Sequence, residues 1–151
     1  MKTCITTTAG AILTTLLFAI PAVGRDHSAM NGTWTLVPAK SEFSGQPVVQ
    51  TGTVTINDRN GVVVVSRNFV YEGATTTFYF SDSAGSEHND TIHSGKDVKS
   101  KTAWDHNVLK VTTTRSGAVT VESYSLGPDG SLLVSVLRPE SKPITLVFER
   151  K

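Results

Sequence analysis

Between residues 32 and 150 the chain is a succession of short runs rich in Val and Thr, each ended by a Gly, Asn, Asp or Pro turn signal. Branched side chains pack well on a pleated surface and lose rotamer freedom on a helix. A helix would also need an apolar period of about 3.6 residues, which no stretch sustains for more than a turn. The chain is therefore read as all-β, built from hairpins that follow one another along the sequence.

The runs are 32–38, 51–58, 62–71, 74–81, 97–104, 108–115, 119–126, 132–137 and 144–150. In the first, Trp34 and Leu36 share one face and Thr33, Thr35 and Val37 the other. Asn60-Gly61 supplies the positive φ of a tight hairpin turn, and Glu72-Gly73, Ser116-Gly117 and Asp129-Gly130 turn the chain in the same way. Phe78 and Phe80 lie on one face of their run and Tyr79 on the other. The stretch 86–95 is less regular, with Ile92 its sole aliphatic residue, and reads as a frayed edge strand or a loop over a barrel mouth. Segment 39–45 has room for one helical turn at Ser41-Glu42-Phe43, with Phe43 expected to tuck under the barrel end. Residues 25–30 form a polar arm without periodicity, expected to be flexible. About 8–10 strands without a long crossover favour an antiparallel up-and-down β-barrel over a two-sheet sandwich.

The first 24 residues read as a secretory signal peptide: Lys2, then an apolar run from Ala9 to Ile20, then Pro21-Ala22-Val23-Gly24 before Arg25. That run is shorter than the ~20 residues of a membrane span, so no span is expected once the leader is removed. Residues 25–151 then form a single domain in a secreted or periplasmic protein. Cys4, the single cysteine, lies in the leader, so the mature domain has no disulfide and depends on its core for stability. The 14 Lys and Arg oppose 13 Asp and Glu, and loss of Lys2 makes the balance neutral. That charge gives no reason to expect a nucleic acid or an anionic membrane as partner.

Residues that could carry chemistry do not assemble. His88 and His93 point to opposite faces if extended, which is poor for a shared metal. His27 lies in the arm and His106 in a turn, and neither is expected to be organised. Glu72, Asp82 and Glu87 fall near turns, and no Gly-x-Ser-x-Gly elbow is present. No catalytic group, metal site or cofactor is expected. The aromatic and aliphatic residues are the stronger resource. Phe78, Phe80, Trp104, Val111, Val134, Leu146 and Phe148 can face inward, where they would either line a cavity for one small apolar ligand or fill the interior.

Gly32-Thr33-Trp34, followed by Leu36-Val37, resembles the Gly-x-Trp signature that opens the lipocalins and fatty-acid-binding proteins, the calycin group of up-and-down barrels. Trp104-Asp105 before a turn is similar to the Trp-Asp hairpin of the fatty-acid-binding branch, and Phe148-Glu149-Arg150 to its closing strand. Pro38 to Phe43 and Ser125 to Gly130 are similar to stretches of small secreted bacterial lipocalin-like proteins. The resemblance implies a barrel whose closed end is plugged by Trp34 with Arg150 over its indole, a structural role. It also implies departures. Where the fatty-acid-binding proteins place an inward Arg and Tyr on the last strand, this chain has Leu146 and Phe148, and the two-helix lid has no counterpart. Arg115 and Arg138 stand at strand ends, where they could meet an anion or solvent. The expectation is a lipocalin-like barrel that binds a small lipophilic molecule. The alternatives are a packed barrel or sandwich that meets other proteins of the cell envelope, and an isomerase or hydrolase using Glu87, His88 or His93 at the mouth.

Overall fold

The computed structural model describes residues 27–83, 87–90 and 98–151, and for 78–83 and 87–90 the backbone alone. The expected leader, Cys4, Ile92 and His93 lie outside the described residues. Ten strands follow in chain order: β1 (Gly32–Leu36), β2 (Val49–Arg59), β3 (Val62–Tyr71), β4 (Ala74–Ser83), β5 (Glu87–Asp90), β6 (Val98–Asp105), β7 (Val108–Arg115), β8 (Ala118–Leu126), β9 (Leu132–Leu137) and β10 (Ile144–Arg150). All pairings are antiparallel, in the order β4-β3-β2-β1-β10-β9-β8-β7-β6-β5. The sheet curls so that β4 comes beside β5 and β6, giving an up-and-down barrel whose two edges are β4 and β5. The irregular stretch thus contributes a short edge strand, β5. Among the described residues no helix is long and apolar enough to cross a membrane.

The turn residues act where the sequence places them. Asn60 and Gly61 have φ of 54° and 77°, Glu72 and Gly73 46° and 84°, and Ser116 and Gly117 50° and 82°. Two successive positive φ values match the right-handed twist of the flanking strands, which fixes register at three hairpins. With register fixed, alternation sends one face inward: Val63 and Val65 on β3, Leu109 and Val111 on β7, Leu132, Val134 and Val136 on β9, and Ile144, Leu146 and Phe148 on β10.

Two expectations are corrected. The single turn of helix is a 3-10 turn at Pro38–Lys40, not at Ser41–Phe43, because Pro38 suits a first helical position. Glu42 instead pairs through its backbone with Thr145, donating at 2.7 Å and accepting at 2.9 Å, and Phe43 packs half-buried against the core. The second correction concerns the arm. Ser28–Met30 forms a 3-10 turn, and Met30 is 4% exposed within the core. It is held by contacts remote in sequence. Asn31 Oδ1 accepts from the Asp58 backbone N–H at 2.6 Å and Asn31 Nδ2 donates to the Asp58 carbonyl at 3.1 Å.

Candidate functional site

One end of the barrel is shut by packing. Trp34 is fully buried, and its Nε1 donates to the Met30 carbonyl at 2.9 Å, so the indole's one polar atom is satisfied. The Arg150 guanidinium lies over the ring and donates to the Ala29 and Asn31 carbonyls at 2.7 Å each. Beside it His27 stacks on Trp104, centroids 3.6 Å apart and planes within 9°. The His27 Nε2–H also donates to the His106 carbonyl at 3.2 Å. His27 is therefore organised, contrary to expectation, and Trp104 faces this closed end, half-buried against the core. A cleft of about 370 Å³ runs outside the plug, between His27, Met30 and Leu126.

Above the plug the interior has two kinds of wall. Val111, Val134, Leu146 and Phe148 are fully buried, and Phe148 stacks on Phe69 of β3 at 6.1 Å. Gly52 makes this possible, since a Cβ there would stand 2.8 Å from the Phe69 ring. The opposite wall is polar. Ser100 and Thr102 of β6 and Glu122 of β8 are buried, and the same inward phase carries Thr113 of β7 and Thr120 of β8. The Thr102 and Thr113 hydroxyls are buried and, among the described residues, have no hydrogen-bond partner.

A charged pair spans the two walls. Arg67 of β3 donates through Nη1 to Glu122 Oε1, and Tyr124 Oη donates to Glu122 Oε2 at 2.6 Å. The Arg67 and Glu122 side chains are 11% and 3% exposed. Burial opposes the Arg67 charge, but the adjacent Glu122 carboxylate outweighs this and holds the guanidinium above its ordinary range. Burial, reinforced by Glu122, pushes the Tyr124 phenol well above its usual value, so it remains a neutral donor.

The other end opens to solvent. Thr113, Arg115, Ala118, Thr120 and Arg138 line a cleft of about 280 Å³ on the concave face. Tyr71, Ile144, Pro47 and Arg138 line a second, of about 490 Å³, so the two meet at Arg138. That guanidinium donates to Gln46 Oε1, whose own amide donates to the Lys142 carbonyl at 2.8 Å. The β1–β2 connection is thereby tied to the β9–β10 loop at the rim. Arg115 and Arg138 do come together, a juxtaposition that their positions at separate strand ends did not reveal.

Of the residues singled out from sequence, Val111, Val134, Leu146 and Phe148 thus converge in the interior, Trp104 stands at the closed end, and Trp34 and Arg150 stack there. Phe78 and Phe80 pair through their backbone with Arg67 and Val65, and their side chains lie outside the described atoms. Of the proposed mouth residues, Glu87 and His88 lie on β5, paired with Lys101 and Ser100. Among the described residues no three His, Cys, Asp or Glu side chains gather as a metal site would require.

No protein-family model and no curated protein matches the sequence. Solved structures do match its shape. A fatty-acid-binding protein of Schistosoma mansoni, in complex with arachidonic acid, superposes with a TM-score of 0.60 at 16% identity, covering 83% of this chain and 98% of that one. The fold is that of the fatty-acid-binding, calycin type of barrel. A secretory abundant heat soluble protein of Ramazzottius varieornatus gives 0.64 at 12% identity, covering 82% and 96%. The fluorescent protein UnaG gives 0.64 at 18% identity, covering 83% and 100%. Such identities carry the architecture alone.

Proposed function

We propose that this protein binds one small lipophilic molecule in the open half of its barrel, entering at the rim formed by Tyr71, Arg115, Arg138 and Ile144. The observation that carries the reading is the division of the interior: a packed, apolar closed half that serves as floor, beneath clefts on the same concave face. Val111, Val134, Leu146 and Phe148 belong to that floor, and Phe78 and Phe80 of β4 are proposed to complete the wall beside Arg67. Burying a ligand's apolar surface there stabilises the complex by about 25 cal/mol per Å² before the costs of association. The fold likeness to a fatty-acid-binding protein in complex with arachidonic acid supports a small lipophilic ligand.

The leader-like first 24 residues support export, to the periplasm or beyond, which N-terminal sequencing of the protein recovered outside the cytoplasm would test. The binding reading is tested by native mass spectrometry of protein purified gently from its own host, followed by organic extraction. A reproducible one-to-one lipophile is the expected result. A clean unliganded mass, together with failure to take up a neutral apolar fluorophore, would overturn the reading and leave a packed barrel.

A further inference from the structure

We propose that Glu122 sets the charge selectivity of this barrel, making it a site for an uncharged lipophile with a hydroxyl or carbonyl group rather than for a fatty carboxylate. The inference rests on the lipophile-binding reading and narrows it. Arg67 is a buried cation on the inner wall, and alone it would draw a carboxylate from the mouth, since attraction between charges strengthens where water is excluded. It is not alone. In the sheet order β3 and β8 are separated by β2, β1, β10 and β9, and the curl of the sheet brings Arg67 onto Glu122 from the facing wall.

Both carboxylate oxygens are engaged, one by Arg67 and the other by Tyr124 at 2.6 Å. Among the described side chains, the charge of Arg67 is thereby met by that of Glu122. A second carboxylate arriving at this depth would share one cation between two anions, and one of them would be buried without compensation. Uncharged hydrogen-bonding capacity lies on the same inner wall: the buried Thr102 and Thr113 hydroxyls, which lack partners among the described residues. Thr113 pairs with Thr120, one inward step toward the mouth from the paired Val111 and Glu122, and both threonines line the cleft at the open end. A ligand hydroxyl or carbonyl seated on that cleft floor finds neutral partners, with a compensated ion pair beneath it. A buried ion pair is an expensive way to gain stability, so its presence in the ligand wall fits a role in discrimination better than one in holding the fold.

The test is displacement of the neutral fluorophore N-phenylnaphthylamine by three ligands of equal chain length, hexadecanol, hexadecanoic acid and hexadecylamine, at a pH where the acid and amine are charged. The wild-type protein is expected to prefer the alcohol by about tenfold or more over either ion. Glu122→Gln removes the carboxylate that faces Arg67 and should raise affinity for the acid by about tenfold, with the alcohol little changed. Arg67→Met leaves Glu122 uncompensated and should raise affinity for the amine instead. Either variant decides the matter if the other does not fold, and the double variant Arg67→Met/Glu122→Gln should return the preference for alcohol. Wild-type protein that binds the acid as tightly as the alcohol, or single variants that weaken all three ligands alike, would overturn the selectivity while leaving lipophile binding in place. Failure of the fluorophore and of every ligand to bind any form would overturn the binding reading itself, and the selectivity with it.

Discussion

The Arg150 guanidinium sits 4.3 Å from the centroid of the Trp34 indole, in a slot that exists because residue 32 has no side chain. A Cβ on Gly32 would stand 2.8 Å from Nη1 of Arg150, and Gly32 has a φ of +135°, which other residues rarely adopt. The Gly-x-Trp pattern at the head of β1 is thus a steric specification: the Trp fills the barrel end and the Gly admits the cation that covers it. Gly32→Ala should therefore destabilise the fold by about 1–3 kcal/mol, through backbone strain and displacement of Arg150. Trp34→Ala, which empties the plug, should cost about 3–5 kcal/mol. Urea unfolding checks both, with the slope unchanged if two-state behaviour is kept.

Gly52 has a different reason to be glycine. It lies within β2 with an ordinary φ, but its missing side chain is the space into which the Phe69 ring packs on its way to Phe148. Gly52→Ala is expected to cost about 1–3 kcal/mol by overpacking. Replacing Phe69 with Leu in the same chain should recover part of that loss. Additive costs in a double-mutant cycle would show that the two positions do not meet.

Much of the fold was readable because turn chemistry marks where one run ends and the next begins: Asn60-Gly61 and Ser116-Gly117 each fall between two strands that pair with one another. The polar wall was not readable, and β8 shows why. There Val119 and Val121 face outward, with Val119 43% exposed, whereas Glu122 is buried. The two valines of that strand therefore point away from the interior, while Tyr124 on the other face is fully buried in it. On β3 the unbroken Val62 to Val65 carries no phase. Arg67 alternates with Val65 and Phe69, and that spacing was the available signal. The arm at 27–30 has two adjacent apolar residues, Ala29 and Met30, and no period, so its docking depends on Asp58, Arg150 and Trp104, which only the fold brings near.

His27 and Trp104 supply a spectroscopic check on that docking. Their parallel rings, 3.6 Å apart, shield one face of an indole that is otherwise half-exposed. His27→Ala should shift Trp emission toward the red, because Trp104 then meets water while Trp34 stays buried. The stability cost should be small, about 0.5–1.5 kcal/mol for a stacked pair. An unchanged spectrum would mean that the arm does not cover Trp104 in solution.

Tyr124 predicts how the fold responds to base. Its phenol is raised above its ordinary value first by complete burial and then by the neighbouring Glu122 carboxylate. In the unfolded chain it ionises at about pH 10. Between that pH and its higher folded value the unfolded chain has lost a proton that the folded chain keeps, so stability falls as pH rises. Below about pH 10 the contribution is fully present. Of the three tyrosines in the chain, Tyr124 should then stay protonated for as long as the fold persists and ionise together with unfolding, seen as a tyrosinate absorbance step that coincides with loss of β-sheet circular dichroism. Tyr124→Phe should remove that step and flatten the alkaline decline in urea midpoint. At neutral pH the same variant should lose about 1–3 kcal/mol, because Glu122 Oε2 is left buried without its donor. A phenol that titrates reversibly near its ordinary value, with the sheet intact, would mean that Tyr124 reaches water and that the Arg67–Glu122–Tyr124 contact opens in solution.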